Sequence, residues 1–313
     1  MLINIVKFEI SSKYFIFGDI FLINLIIMKK ISFILLLFLS SSLFSQSLLW
    51  KISGKKIKNP SYIYGTIHIQ DKRAFSFDES VLKAFESSDA FAMEILMDEI
   101  PQKEMMEAML MKNNTLDKLY TKEEYRILDS VVKAKTGAGV LLYNKMKPFF
   151  LSSQLMQLEI PKDMDLALDL FFLTKARKAG KPCFGVEKFM DQINAIDAIS
   201  LEEQADMLYK SLTDTAENDT MSKLNEMLET YMNFDLEKML ELSTDSTMPA
   251  DFNENFLIKR NVVMVKNFIK ISKKQSLFCA VGAAHLAGED GVLELLRQKG
   301  YTVEPVFFKW TEN

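Results

Sequence analysis

The stretch SLFCAVGAAHLAGEDGVLELLRQKGYTVEPVFF, residues 276–308, decides the fold. An apolar run of strand length, SLFCAVG (276–282), leads into a short turn carrying His285. A helical segment, GVLELLRQKG, then stops at Gly300, and a second apolar run, TVEPVFF (302–308), follows. Glycine directly after the last helical residue is a common C-terminal stop, because it takes the left-handed conformation without a Cβ penalty. Strand, helix, strand in this order is the unit of an α/β sheet with crossover helices.

The rest of the chain repeats the unit. Further strand-like runs are SYIYGTIHI (61–69), AFAMEIL (90–96) and KPCFGVE (181–187). Between the first two, FDESVLKAFESS offers Asp78 as N-cap and Val81, Leu82, Ala84 and Phe85 on one face, so a helix crosses there and a parallel pair is expected. Ahead of the third, DLALDLFFLTKARKAGKP closes at Gly180 and Pro182. Two helical insertions, at about 100–165 and 188–275, interrupt the core. Thr121 with Glu124, and Ser200 with Glu203, have capping-box spacing, and Gly137 is placed to end a helix. The expected fold class is α/β, a mixed and largely parallel sheet with flanking helices and two helical insertions. Many of the 19 methionines fall in the insertions, where helical spacing marks them as core filler ahead of a surface for a flexible chain.

Composition and leader set the compartment. The net charge is −4 and no long Lys/Arg cluster follows the leader, which argues against nucleic acid as a partner. MKKISFILLLFLSSSLFSQS (28–47) has a basic start, an apolar core from Ile31 to Leu39 and small polar residues beyond it, so residues 28–46 read as a signal peptide cut after Ser45 or Ser47. Residues 1–27 have no place in that pattern and read as an upstream extension from a misplaced start codon. The expected product is a single domain, 47–313, exported to the periplasm or the exterior, with no stable membrane span after cleavage. An anchor through residues 19–39 is the weaker reading, since Lys29 and Lys30 interrupt the run. Cys183 and Cys279 lie in apolar runs and are expected as buried free thiols ahead of a disulfide.

The chain has two histidines, and both stand in Gly-x-x-His: Gly65 with His68 and Gly282 with His285. Both fall at the carboxyl ends of strand-like runs, as do Glu187 and, nearly, Glu94. Strand ends are where open α/β sheets build their sites. On parallel neighbours these two imidazoles and two carboxylates would meet on one rim, which suits a divalent metal or a general acid/base pair. The glycines would let the backbone turn out of the strand and approach a ligand closely. Against this stand satisfied structural histidines and glutamates that merely face solvent.

YIYGTIHI, AFAMEIL, GKPCFGVEKFMDQ, IKRNVVM and AVGAAHLAGEDGVLELLRQKGYTVEPV, in this order and spacing, resemble the TraB/GumN family, which includes the Tiki metalloproteases. The resemblance covers about 48–310. It implies a Tiki-like fold shared with the ChaN and erythromycin-esterase group, and, for Tiki members, peptide-bond hydrolysis dependent on a divalent cation such as Mn²⁺ or Co²⁺. Position by position it implies His68 and His285 as the motif histidines, Glu94 and Glu187 as the two glutamates, and Arg260 as the arginine. Where many relatives carry Gly-Leu-Glu-Thr, this chain has Gly-Val-Glu-Lys, so Lys188 adds a cation beside Glu187.

A His/His/Glu set with an open position could hold Mn, Co or Zn and lower the pKa of a bound water, with the remaining carboxylate as base. Glu94 and Glu187 are not separable as ligand and base at this level. Arg260 would stabilise an oxyanion or pair with a carboxylate, against a plain surface salt bridge on a helix. No His-Glu-x-x-His, Walker loop, Gly-x-Gly-x-x-Gly or Gly-x-Ser-x-Gly occurs. The expected function is an exported metal-dependent hydrolase acting on a peptide or protein. The alternatives are a metal-free His/Glu hydrolase of the esterase type, or a protein that binds metal, haem or polysaccharide without turnover.

Overall fold

The computed structural model describes residues 47–55, 57–213, 220–244 and 252–311. The leader expected at 28–46 and the stretch 1–27 lie outside the described residues. Six strands form one sheet: β1 (Leu49–Ser53), β2 (Ser61–Thr66), β3 (Ala90–Met93), β4 (Cys183–Gly185), β5 (Leu277–Gly282) and β6 (Thr302–Val306), in the order β4-β3-β5-β2-β1-β6. β4, β3, β5 and β2 pair in parallel, and β1 runs antiparallel to both its neighbours. Five strands therefore point the same way, and the largely parallel sheet expected from the sequence is the one observed.

Two expectations need correction. The segment Leu49–Ser53, which the reading of apolar runs passed over, is a strand that joins β2 to β6. And β2 and β3 are not neighbours, because β5 lies between them. The reason is burial: Leu277 to Val281 are all 2% exposed or less, so β5 needs helices on both faces and partners on both edges. β4, three residues long and only partly buried, takes an edge.

Helix α1 (Glu79–Ser87) connects β2 to β3, with the Asp78 carboxylate accepting from Ser80 N at 2.8 Å. The first insertion holds α2 (Gln102–Met109), α3 (Leu116–Leu119), α4 (Lys122–Thr136) and α5 (Pro148–Glu159). Helix α6 (Leu168–Lys178) crosses back to β4. The second insertion holds α7 (Phe189–Asp197), α8 (Leu201–Thr213), α9 (Thr220–Met232), α10 (Leu236–Ser243) and α11 (Lys259–Ser272), and α12 (Val292–Gln298) precedes β6. Thr121 and Glu124 form the expected capping box on α4, and α6 and α12 are followed by left-handed glycines, Gly180 at φ 66° and Gly300 at φ 78°.

The insertions share a core of their own, in which Leu116, Leu128, Val132 and Leu155 meet Leu208 of α8. The main core lies on the sheet, where Tyr64, Phe85, Phe172 and Phe278 stack edge-on or tilted, with ring centroids 5.1–5.6 Å apart for the pairs Phe172–Phe278, Phe85–Phe278 and Tyr64–Phe172. Several methionines of the insertions are not core filler: Met106 and Met156 are more than half exposed.

The cysteines are free thiols, Cys279 buried and Cys183 only partly so. They flank β3 on opposite sides, opposite Ala92 and Phe91 respectively. Two inter-strand spacings, about 9–10 Å, exceed the Cα reach of a disulfide. Among the described residues no helix is long and apolar enough to cross a membrane.

Candidate functional site

Four of the five expected site residues sit one to three positions beyond the end of a strand, and the fifth, Arg260, lies in the first turn of α11. β2 ends at Thr66, two residues before His68; β3 at Met93, directly before Glu94; β4 at Gly185, two before Glu187; β5 at Gly282, three before His285. The runs read as strands are thus shorter than expected, because the chain leaves the sheet where the polar residues begin. With the four strands adjacent and parallel, these four ends lie along one edge of the sheet.

Glu94 is the meeting point. Its Oε1 lies 3.8 Å from His68 Nε2 and 3.9 Å from His285 Nε2, and accepts a hydrogen bond from Gly282 N at 2.7 Å. A Cβ on Gly282 would stand 3.2 Å from that same oxygen, so glycine here allows the carboxylate to approach the strand end. At Gly65 the added Cβ would instead meet Leu286 Cδ1 at 2.9 Å and Ala283 Cα at 3.2 Å. Neither glycine has positive φ. Both Gly-x-x-His glycines therefore serve close packing, and the sharp turn expected from them is not their role.

The other oxygen of Glu94, Oε2, accepts from Arg260 Nη2 at 2.9 Å and Gln192 Nε2 at 3.2 Å. Arg260 also makes a two-point contact with Glu187, Nε to Oε2 at 2.9 Å and Nη2 to Oε1 at 2.5 Å, and Gln192 donates to Glu187 Oε1 at 2.8 Å. Its remaining nitrogen, Nη1, donates to Phe256 O at 3.0 Å, on a π-type turn (Glu254–Ile258) that leads into α11. Arg260 is therefore no surface salt bridge: its side chain is 6% exposed and that of Glu187 is fully buried. Among the described residues Glu94 is the carboxylate that faces both histidines, while the oxygens of Glu187 are occupied by Arg260 and Gln192. Lys188 is exposed and starts α7 through its backbone N–H, donated to Asp191.

The two histidines differ in setting. His285 is buried in a short 3₁₀ turn, and its Nδ1 lies 2.6 Å from Asn261 Oδ1. Asn261 Nδ2 donates to Asp290 O, which leaves the amide oxygen as acceptor and puts the ring proton on Nδ1. Burial pushes the His285 pKa down to about 4. His68 is 58% exposed, and its Nδ1 lies 3.3 Å from Asp169 Oδ2. Burial opposes its protonation, but Asp169 and Glu94 outweigh that and raise its pKa well above the ordinary value. Burial likewise works to raise Glu94, yet His68, His285 and Arg260 hold it well below the usual carboxylate range. Glu187 is raised by burial, with Arg260 opposing and the Glu94 charge adding to the rise.

Three residues of this constellation had no role in the sequence reading. Asn261 and Gln192 stand inside the motifs IKRNVVM and GKPCFGVEKFMDQ, but an amide in a helix carries no signal of its own. Asp169 reads as an ordinary first-turn acid of a helix; its only anomaly is a carboxylate set among Leu168, Leu170, Phe171 and Phe172.

The donor types at the rim, two imidazole Nε2 atoms and a carboxylate oxygen, are those of a divalent cation site. Donors sharing one ion at bonds of ~2.1 Å are about 3.0–3.5 Å apart. The observed 3.8 and 3.9 Å are a few tenths wider, and among the described residues no three His, Cys, Asp or Glu groups are gathered tightly enough to hold an ion as they stand. The chemistry fits, and His68 is the exposed one of the two rings.

Among proteins of known description, the chain is 23% identical to metalloprotease TIKI2 of Danio rerio, over 85% of this chain and 63% of that protein. It is also 23% identical to metalloprotease TIKI2 of Xenopus tropicalis, over 82% of this chain and 59% of the relative. An uncharacterized protein of Treponema pallidum (strain Nichols) is 21% identical over 81% of both chains. The chain thus spans about three fifths of the length of the TIKI2 proteins it matches. No solved structure matches it. The TraB/PrgY/gumN family model matches residues 48–305, most of the chain, and the protein belongs to that family.

Proposed function

We propose that this protein is a metal-dependent hydrolase, exported to the periplasm or the exterior, that cleaves peptide bonds with Mn, Co or Zn held by His68, His285 and Glu94. The observation that carries the reading is the convergence of two Nε2 atoms on the single oxygen Glu94 Oε1, with each Nδ1 engaged behind. In its neutral form His285 holds its proton on Nδ1, so its Nε2 lone pair faces a carboxylate. Two acceptors placed face to face call for a cation or a proton between them. The names of the TIKI2 relatives support the metal and the peptide substrate, and MKKISFILLLFLSSSLFSQS supports export.

A divalent ion at this place would supply Lewis acidity, acidifying water and polarising a carbonyl. The chain's own residues do the rest. Arg260 and Gln192 occupy Glu94 Oε2 and so aim Oε1 at the histidines. Glu187 holds Arg260 in that position, and the bidentate pairing commits the guanidinium to carboxylates, away from the oxyanion role. His68, on the exposed side, is the ring that a substrate carbonyl would meet first.

A second reading is a metal-free hydrolase in which Glu94 and His68 activate water. It is favoured by the absence, among the described residues, of a donor set already closed to coordination distance. Elemental analysis of the purified protein, followed by turnover of an unstructured protein substrate before and after chelation, separates the readings. About one ion per chain and turnover lost on chelation support the metal enzyme. Turnover that survives chelation moves the assignment to the metal-free mechanism, and a bound ion with no turnover leaves a binding protein.

A further inference from the structure

We propose that Asp169 is the positioning residue of His68: it fixes the imidazole as the Nδ1–H tautomer and so turns the Nε2 lone pair toward Glu94 Oε1. The role rests on the His68/His285/Glu94 reading of the site, and nothing in the motif pattern points to it.

His68 needs such a residue and His285 does not. His285 is buried and bonded to Asn261, whereas the His68 ring is more than half exposed on a loop, where packing leaves its rotation and tautomer free. Asp169 Oδ2, at 3.3 Å, is the group that faces its Nδ1. The carboxylate comes from another element, the first turn of α6, and the neighbouring Leu168, Phe172, Leu173 and Ala176 of that helix lie in the core.

The bland account of Asp169 is an acid placed in a helix's first turn to favour the dipole. That benefit is available at any exposed first-turn position. Asp169 is instead 8% exposed, Oδ1 has no hydrogen-bond partner, and among the described residues His68 is its one ion-pairing partner. Burying a carboxylate is costly unless it is paired, so its placement against His68 is the feature that needs a reason.

The two segments are also stitched together next to this contact. Gln70 Nε2 donates to Met164 O at 2.8 Å and to Asp165 O at 3.0 Å, and Met164 N donates back to Gln70 O at 2.9 Å. Gln70 is two residues after His68, and Asp165 is four before Asp169. The loop that carries the imidazole is therefore held in register with the helix start that carries the carboxylate. Histidine ligands whose second nitrogen donates to a carboxylate are held in tautomer and orientation in the same way.

The chain makes the test simple, because it has two histidines and so two imidazole spectra. In metal-free protein in alkaline buffer, where both rings are neutral, long-range ¹H–¹⁵N spectra should show Nδ1–H for His68 and for His285. In Asp169→Leu, which offers Nδ1 no acceptor, His68 should lose its preference for the Nδ1–H form while His285 stays unchanged and reports that the fold is intact. Asp169→Ala should also release His68 from the Nδ1–H form. Titration with Co²⁺ should show affinity lowered about 10- to 100-fold in both variants. A His68 that already carries its proton on Nε2 in the parent chain, or that keeps the Nδ1–H form and parent Co²⁺ affinity in Asp169→Leu, overturns the assignment. Because the tautomer is read without ion or substrate, the result is separate from the hydrolase reading. A tautomer that responds to Asp169 in a chain that binds no ion supports the positioning role and sinks the metal enzyme alone.

Discussion

Arg260 clasps Glu187 with two nitrogens, Nε on Oε2 at 2.9 Å and Nη2 on Oε1 at 2.5 Å, and the same Nη2 reaches Glu94 Oε2 at 2.9 Å. One guanidinium thus pairs with two buried carboxylates at once and fixes the angle between them. Its fork geometry cannot be reproduced by an ammonium. Arg260→Ala should destabilise the protein by about 3–5 kcal/mol, since it leaves Glu187 buried without a counter-charge and takes from Glu94 its buried ion-pair partner. Arg260→Lys should recover part of that stability but little activity, as one nitrogen cannot hold both contacts. Urea denaturation gives the answer; an Arg260→Ala protein within about 1 kcal/mol of the parent would show that the pair is not an electrostatic keystone.

The pH dependence of stability should carry a signature of His285. Its folded pKa, about 4, is below the unfolded value of about 6.5, so in that window the unfolded chain binds the proton that the folded chain refuses. Stability from this source is complete above about pH 6.5 and is lost as pH falls toward 4, by at most about 3 kcal/mol. Other carboxylates titrate in the same range, so the quantity to measure is the difference between the metal-free parent and His285→Gln across the window. A flat difference curve would mean that His285 is not held neutral by burial.

The two Gly-x-x-His glycines should behave differently when given a Cβ. At Gly282 the new methyl group meets Glu94 Oε1 at 3.2 Å and His285 Cδ2 at 3.5 Å, so Gly282→Ala should displace the ligand oxygen and weaken cation binding about tenfold with little loss of stability. At Gly65 the methyl meets Leu286 and the backbone of Ala283, so Gly65→Ala should cost about 1–3 kcal/mol through overpacking. Thermal melts with and without Co²⁺ distinguish them, and equal stability loss at both sites would reject the division.

Much of this arrangement is legible in the sequence, and the parts that are not depend on contacts between residues far apart in the chain. The strands announce themselves through apolar runs, two of them preceded by helix stops at Gly180 and Gly300, and the histidines and glutamates stand out because apolar strand runs seldom carry them. Strand order is invisible to such reading: that β5 separates β2 from β3 follows from the two-sided burial of Leu277 to Val281, a property of the assembled sheet. β1 was missed because Leu49–Ser53 is short and directly follows the stretch read as a signal peptide. Asp169, Asn261 and Gln192 were missed because each acts on a residue far away in sequence, and nothing local marks a carboxylate or amide as the partner of a histidine. The Arg260–Glu187 pair shows the converse, with both residues found but their mutual contact unforeseen.

That contact yields the sharpest prediction, since it separates two glutamates that the sequence left equivalent. Glu94 presents to both imidazoles an oxygen, Oε1, that among the described residues otherwise accepts only from Gly282 N; Glu187 has both oxygens engaged by side chains and its own side chain is fully buried. Glu94→Gln should therefore abolish measurable Co²⁺ binding and hydrolysis while the fold survives, because the amide still accepts from Arg260. Glu187→Gln should keep the ion, with affinity lowered about tenfold as Arg260 and then Glu94 lose their alignment. It should also lose about 1–3 kcal/mol of stability, because a buried guanidinium exchanges a charged two-point partner for a neutral one. Calorimetric titration with Co²⁺ and urea denaturation of both variants measure the two effects side by side. If Glu187→Gln loses the ion and Glu94→Gln retains it, the roles are reversed, and the oxygen facing the histidines is not the one that holds the metal.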